Sequence, residues 1–201
     1  MRGILLILLS GTMVTPLAAQ WRLSLAAGPA TTSGHSLDGT QDDRPAILPD
    51  HPQPWTLTLA RQVGAWRLGI DGSRITADLA VRSSTTSLAT RGALSAWGTG
   101  VELAHRVAAR RDGWALWGGV GAVYERWTFD VAGGDARWRA AARAALQLDI
   151  PLATHWDGLL RGELGAGPSL FRNGELPEGY QRRGARRAAL LLGVTLAGAA
   201  R

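Results

Sequence analysis

Residues 92–124 read GALSAWGTGVELAHRVAARRDGWALWGGVGAVY. From Trp97 to Val107 every second residue is large and mostly apolar, and the residues between them are small or charged. The same alternation restarts at Trp114, beyond Asp112-Gly113, and continues to Tyr124. Alternation on both sides of an Asp-Gly pair predicts a β-hairpin. Its strands exceed the roughly five or six residues of an average strand, as the strands of a membrane-spanning barrel do.

The same two-residue period recurs along the chain and predicts eight strands. They lie near 20–27, 55–60, 66–82, 97–108, 114–125, 137–148, 160–170 and 188–197. The segments between them alternate long and short, and the long ones are 28–54, 83–91, 126–135 and 172–184. Long loops alternating with short turns are the layout of an antiparallel up-and-down barrel. The fold class predicted is therefore an all-β, eight-stranded transmembrane β-barrel.

Two details of this barrel can be checked against a structure. The apolar face changes parity at Gly72-Ser73, which predicts a β-bulge within one long, bent third strand. The alternative, a separate strand over 74–82, would give an odd number of strands, whereas single-chain bacterial barrels have an even number. Two-residue turns at Val63-Gly64 and Asp112-Gly113 would pair Leu59 with Leu68 and Leu103 with Ala122, each pair sharing a face.

Composition excludes several classes of protein. The 201 residues suffice for one domain, and the absence of cysteine excludes disulfides and thiolate metal sites. Beyond the N-terminus no apolar run approaches the roughly 20 residues of a helical membrane span. The net charge is +6 and every basic residue is arginine, but these arginines are spread along the chain. A nucleic-acid-binding protein would normally concentrate them on one patch.

The N-terminus has the organisation of a secretory signal peptide. Arg2 supplies the positive charge, residues 4–9 form the apolar core, and the stretch 16–20 resembles a cleavage region. We expect cleavage after Ala19, so that 1–19 is the signal peptide and 20–201 is a single barrel domain.

Alternation alone leaves open which face of the barrel points inward. A soluble, lipocalin-like carrier would place the Trp/Leu face inside, and an outer-membrane barrel would place it outside. Two features favour the membrane. The charged face is the smaller one, which suits the narrow interior of eight strands. Tryptophans also lie near strand ends, as an interfacial girdle requires: Trp21, Trp55, Trp66, Trp114 and Trp138.

Eight alternating strands behind a signal peptide resemble the small outer-membrane barrels of the outer-membrane-protein-A and X type. The resemblance covers nearly all of 20–201 and rests on pattern rather than on a specific motif. It implies a monomer in the outer membrane of a Gram-negative-type bacterium, in contact with membrane lipids, lipopolysaccharide and the assembly machinery. It also implies interior salt bridges and no wide channel. One departure is the C-terminus, where 196–201 lack the aromatic residue with which family members usually end.

The candidate site residues are charged. If the charged face points inward, a lumen network is expected from Glu102, Arg106, Glu125, Arg137, Arg139, Arg143, Arg161 and Glu163. Because unpaired buried charges are costly, these side chains should pair with one another. A second set is a candidate for binding lipopolysaccharide phosphates, which arginine can hold bidentately: Arg182, Arg183, Arg186 and Arg187.

The most probable role on these grounds is non-enzymatic, as an envelope or surface-interaction protein. An alternative is a lipid A-modifying enzyme. Deacylases and acyltransferases of this barrel type use a His with a nearby Ser, and His35-Ser36 with Asp38 is the one such group here. Adjacency within a loop is weak support, because catalysis needs a held geometry. The acidic first loop lacks the spacing of a calcium loop, and we expect neither a metal nor a cofactor.

Overall fold

In the computed structural model the residues described are 20–33, 46–82, 87–111, 113–129, 136–171, 176, 178, 180 and 183–198. The predicted signal peptide (1–19) and the residues His35, Ser36, Asp38, Asp112 and Arg182 lie outside these ranges. All regular secondary structure in the described ranges is β-strand. No helix in the described part of the chain is long and apolar enough to cross a membrane.

The strands follow one another around a closed antiparallel sheet. They are β1 (Gln20–Ala27), β2 (Ala30–Thr32), β3 (Ala46–Val63), β4 (Trp66–Arg82), β5 (Ser87–Ala109), β6 (Ala115–Phe129), β7 (Ala136–Ala153), β8 (Trp156–Gly167) and β9 (Ala185–Ala197). β1 and β2 are successive segments of one strand, interrupted at Gly28-Pro29, and both pair with β9. The ring therefore has eight strands, each paired with its sequence neighbours, and the first closes on the last. This confirms the predicted fold class.

Several strands extend farther than the sequence pattern predicts. β3 already begins at Ala46, inside the segment predicted as a long loop, and β5 begins at Ser87. β7 continues through Pro151 to Ala153, so that the turn lies at Thr154-His155. In these regions prolines or an irregular order of polar and apolar side chains weaken the alternation that marks a strand, even though backbone pairing continues.

The predicted bulge at Gly72-Ser73 was wrong. β4 pairs with β3 and β5 without a register shift there, and its residues alternate regularly between outside and inside. The apolar side chains of Ile75 and Ala77 instead point inward, because the interior itself changes from charged to apolar at this level. The prediction of one long third strand rather than two was right.

The predicted registers were wrong by two residues. Leu59 pairs with Ile70, and the turn of that hairpin is Gly64-Ala65, with Gly64 in the left-handed region at φ 61°. Leu103 pairs with Val120 rather than Ala122, and the register shifts again at Val107. A shift of two residues keeps every side chain on its predicted face, which is why face matching did not expose the error.

The outer surface of the barrel is apolar. Along β4, Leu68 is 61% exposed whereas the neighbouring Arg67 is only 5% exposed. This polarity is opposite to that of a lipocalin-like carrier and rules out the soluble-barrel alternative.

Aromatic rings on the outer face form two belts. The lower belt, at the short-turn end, consists of Trp21, Trp66 and Trp156. The upper belt, at the opposite end, consists of Trp55, Trp97, Tyr124 and Trp138.

Four of the five tryptophans predicted for the girdle lie in these belts. Trp66 packs against His105 with ring centroids 4.6 Å apart, and Tyr124 stacks on Trp138 at 4.9 Å. Trp114 is half-buried just before β6, at the short-turn end. Trp117 and Trp127 are buried inside the barrel instead. The alternation of each strand thus decides whether a tryptophan belongs to the wall or to the interior.

Candidate functional site

The barrel interior near the short turns holds an acidic centre shared by two arginines. Asp149 accepts hydrogen bonds from Arg22 at 3.1 Å, Arg67 at 3.3 Å and the amide of Gln147 at 2.6 Å. Arg22 also bridges to Asp157. These side chains come from β1, β4, β7 and β8, so that one carboxylate cross-links strands on opposite sides of the ring.

The guanidinium of Arg67 additionally lies over the ring of the buried Trp117, 4.5 Å from its centroid. A cation over an aromatic face is stabilised by the ring quadrupole. At this end of the interior the guanidinium of Arg67 therefore contacts both the carboxylate of Asp149 and the ring of Trp117.

The middle of the lumen is a connected network of two arginines and three carboxylates. Arg161 donates to Glu102, with Nη1–Oε1 at 3.0 Å, and to Glu163 at 3.2 Å. Arg143 forms a bidentate pair with Asp71 and lies 3.6 Å from Glu102 and 3.9 Å from Glu163. All five residues are buried. Bidentate Arg–carboxylate pairs restrict geometry as well as add energy, so this layer fixes the relative positions of the four strands β4, β5, β7 and β8.

A third charged layer lies above this network. Arg187 donates to Glu125 at 2.8 Å and reaches Glu163 at 3.6 Å. The indole of Trp127 donates to the other oxygen of Glu125 at 2.8 Å. Arg137 donates to the carbonyl of Leu170 at 2.9 Å. The charged interior thus reaches the level at which the upper aromatic belt surrounds the barrel.

An apolar cap closes the interior at the end opposite the short turns. Its buried members are Ile75, Ala77, Leu94, Ala96, Trp127, Phe129, Leu170 and Phe171. The rings of Phe129 and Phe171 pack with their centroids 5.7 Å apart. This end of the interior is therefore packed with apolar side chains, whereas the layers nearer the short turns are packed with paired charges.

The structure places seven of the eight predicted lumen residues inside the barrel: Glu102, Glu125, Arg137, Arg139, Arg143, Arg161 and Glu163. Arg106 is the correction. It pairs across the sheet with the buried Trp117 and its guanidinium lies 5.9 Å from that ring, but the side chain is exposed because it lies at the short-turn end of the barrel, outside the buried charge layers.

Other interior residues were missed: Arg22, Arg67, Asp71, Gln147, Asp149 and Asp157. Strand parity already assigned Arg22, Arg67 and Asp71 to the charged face. Asp149 was missed because it adjoins Pro151, which indicated a turn.

The arginines predicted to bind lipopolysaccharide divide between the two faces. Arg187 points inward to Glu125, a correction to its predicted surface role. Arg183 and Arg186 are exposed. Arg186 shares the outer face with two further exposed arginines that the sequence did not single out. Arg74 lies over the ring of Trp97 at 5.0 Å, and Arg126 is the cross-strand partner of both Trp97 and Trp138.

Solved structures of outer-membrane proteins share this architecture. Neisserial surface protein A (NspA) superposes with a TM-score of 0.59 at 11% identity, over 88% of this chain and 96% of that one. The outer membrane protein OprG from Pseudomonas aeruginosa gives a TM-score of 0.56 at 12% identity, over 90% and 96%. The chain has the fold of small outer-membrane β-barrels.

At identities this low, the structural similarity establishes only that the chain has the outer-membrane barrel fold. No protein-family model matches the sequence, and no curated protein is significantly similar to it. Within the described residues, no three His, Cys, Asp or Glu side chains are grouped so as to hold a metal ion. The lipid A-modifying alternative depends on His35, Ser36 and Asp38, outside the described ranges, and stays a prediction.

Proposed function

We propose that this chain is an integral outer-membrane protein whose barrel carries surface-exposed segments and whose lumen is closed to solutes. The observation that supports the proposal is the inverted polarity, with charges inside and an apolar exterior between two aromatic belts. Exposure of that exterior to water would cost free energy, and large exposed apolar surfaces are rare on soluble monomers. A surrounding lipid bilayer would remove this cost, because the apolar side chains would then contact lipid chains instead of water.

The spacing of the belts supports the same assignment. Along β4, Trp66 lies in the lower belt and Arg74 pairs with both Trp55 and Trp97 of the upper belt. At about 3.3 Å per residue this interval spans about 26 Å along the strand. A strand tilt of about 40° reduces it to about 20 Å along the membrane normal. This distance between the belts is comparable with the apolar band of outer-membrane barrels, which is about 25 Å tall.

Fractionation and electrophoresis test the location. We expect the protein in the outer-membrane fraction, beginning at Gln20 by N-terminal sequencing, with faster gel migration before boiling than after it. A mature protein recovered from the periplasm would contradict the assignment.

Planar bilayer recording tests the closed lumen separately. The purified wild-type barrel should insert without a stable conducting state, because the charged layers and the apolar cap fill the interior. A long-lived open level would show that solutes pass through it.

We further propose that exposed arginines near the upper belt contact the phosphates of lipopolysaccharide. Arg74, Arg126 and Arg186 lie on the outer face at the level where a lipid headgroup would meet the wall. Arg74 and Arg126 adjoin tryptophans, whose rings favour the membrane interface. This rim replaces the contiguous run of four arginines suggested by the sequence, since Arg187 is committed to Glu125.

The rim can be tested with two matched triple variants. Replacement of Arg74, Arg126 and Arg186 by Gln should lower the lipopolysaccharide that co-purifies with the barrel several-fold. The control replaces three exposed arginines at the opposite end, Arg106, Arg110 and Arg111, and should leave that amount unchanged. Equal losses in both variants would indicate a general charge effect and refute the specific rim.

A further inference from the structure

Glu125 is turned away from the arginine directly across the sheet. Glu125 on β6 and Arg139 on β7 are cross-strand partners. Both carboxylate oxygens of Glu125 are nevertheless engaged elsewhere, one by Arg187 and one by the indole of Trp127, each at 2.8 Å. Arg139 is only 8% exposed. In the described part of the chain it forms no hydrogen bond or ion pair.

The side chain of Arg139 lines a small cavity that is bordered by buried side chains and also by the exposed Arg186. The cavity has a volume of about 30 Å³, and its walls include Arg139, Arg143, Arg187, Glu125 and Thr32. Three buried donors on these walls have no acceptor among the described residues: the Nε atoms of Arg139 and Arg143 and the hydroxyl of Thr32. The cavity is therefore rich in hydrogen-bond donors.

The charges around this cavity do not balance. Four guanidinium groups border it, those of Arg139, Arg143, Arg186 and Arg187, with one carboxylate. Arg143 is paired with Asp71, Arg187 is shared between Glu125 and Glu163, and Arg186 is exposed to the outside. Arg139 is the buried arginine of this group that forms no ion pair with a described residue. An arginine does not lose its proton in a protein, and an uncompensated buried charge is costly. A ligand that carries negative charge would remove this cost.

We propose that the cavity beside Arg139 is a binding site for a monatomic anion of the halide class. A volume of about 30 Å³ accommodates one water-sized particle and is too small for sulfate, phosphate or a carboxylic acid. Water alone would accept the hydrogen bonds but leave the charge of Arg139 uncompensated. A halide accepts from the guanidinium and the hydroxyl and also supplies the missing charge.

Anomalous diffraction from crystals of the barrel grown in bromide tests the site directly. We expect an anomalous peak in the cavity, within hydrogen-bonding distance of Arg139, and no such peak in crystals of the Arg139→Gln variant. If crystals grown in bromide show only water in the cavity, the proposal is overturned. A peak that persists unchanged in the variant would show an adventitious ion only and would also overturn it.

Stability gives an independent measure. A ligand that binds only the folded state raises stability with its concentration. The midpoint of thermal unfolding should therefore rise by a few degrees when chloride replaces gluconate at constant ionic strength. The Arg139→Gln variant should lose this difference, whereas the exposed-site control Arg106→Gln should keep it. The same response in wild type and Arg139→Gln would refute the site. If Arg139→Gln does not fold, the diffraction experiment on the wild type decides.

Discussion

Arg161 shows how individual charges are accommodated in this barrel. Its guanidinium contacts Glu102, Glu163 and Gln147, which lie on β5, β8 and β7. Every partner is buried, so removal of Arg161 leaves Glu102 and Glu163 with only the longer contacts to Arg143 and Arg187 to compensate their charge. At this scale the interior resembles a fixed set of ion pairs rather than a lined pore.

We expect Arg161→Met to destabilise the folded barrel by about 3–5 kcal/mol, because it leaves Glu102 and Glu163 facing each other without Arg161. Urea unfolding from lipid vesicles measures the change. The double variant Arg161→Met/Glu102→Gln should recover part of the loss. Arg106→Met, at an exposed position, should change stability by no more than about 0.5 kcal/mol. An Arg161→Met barrel as stable as wild type would refute the role of this network.

Closure of the ring depends on how β1 meets β9. Six residue pairs join β1 to β9, among them Ala26 with Gly193. A methyl group at Gly193 would lie 2.0 Å from the carbonyl oxygen of Leu25. Because that neighbour is backbone, it cannot rotate away as a side chain could. The two ends of the chain are thus joined at a place that admits only glycine.

Gly193→Ala should therefore weaken the β1–β9 seam and lower the temperature at which the barrel loses its compact form in detergent. The matched control is Gly162→Ala on the neighbouring β8, where an added methyl group meets nothing within 4 Å. Gel migration of unboiled samples across a temperature series compares the two variants. Similar melting temperatures for both variants would show that the close backbone approach at Gly193 does not determine the stability of the barrel.

The molecule as a whole is arranged by the polarity of its two surfaces. Ile70 on β4 is 58% exposed and lies between the belts, halfway from Trp66 to Arg74. Thr76 is also exposed on the same strand, but beyond Arg74. The two positions differ in surroundings only if lipid covers the band between the belts.

Ile70→Arg should cost about 2–4 kcal/mol of stability in vesicles, the range for arginine at the membrane midplane. Thr76→Arg, near the headgroups, should cost about 0–1 kcal/mol. Denaturant titrations of both variants provide the comparison. Equal, small effects would contradict the membrane placement, since an exposed arginine is harmless on a soluble barrel.

The sequence by itself determined the architecture. Side-chain alternation is a local property, and eight alternating segments with long and short connections specified the up-and-down barrel and the faces of the predicted strands. The exception is β4 beyond Gly72, where the predicted bulge assigned Ile75 and Ala77 to the wrong face. The chain also showed that Glu102, Arg143 and Arg161 share the charged face.

Only the tertiary structure decided which residues meet. Both hairpin registers were wrong by two residues, since such a shift leaves the faces unchanged. The partners of Arg161, Arg187 and Arg143 lie 59, 62 and 72 positions away in the chain. Such pairings depend on the accumulated stagger of the strands around the closed ring, and no local pattern records it. The same stagger turned Arg187 toward Glu125 and left Arg139 facing the cavity.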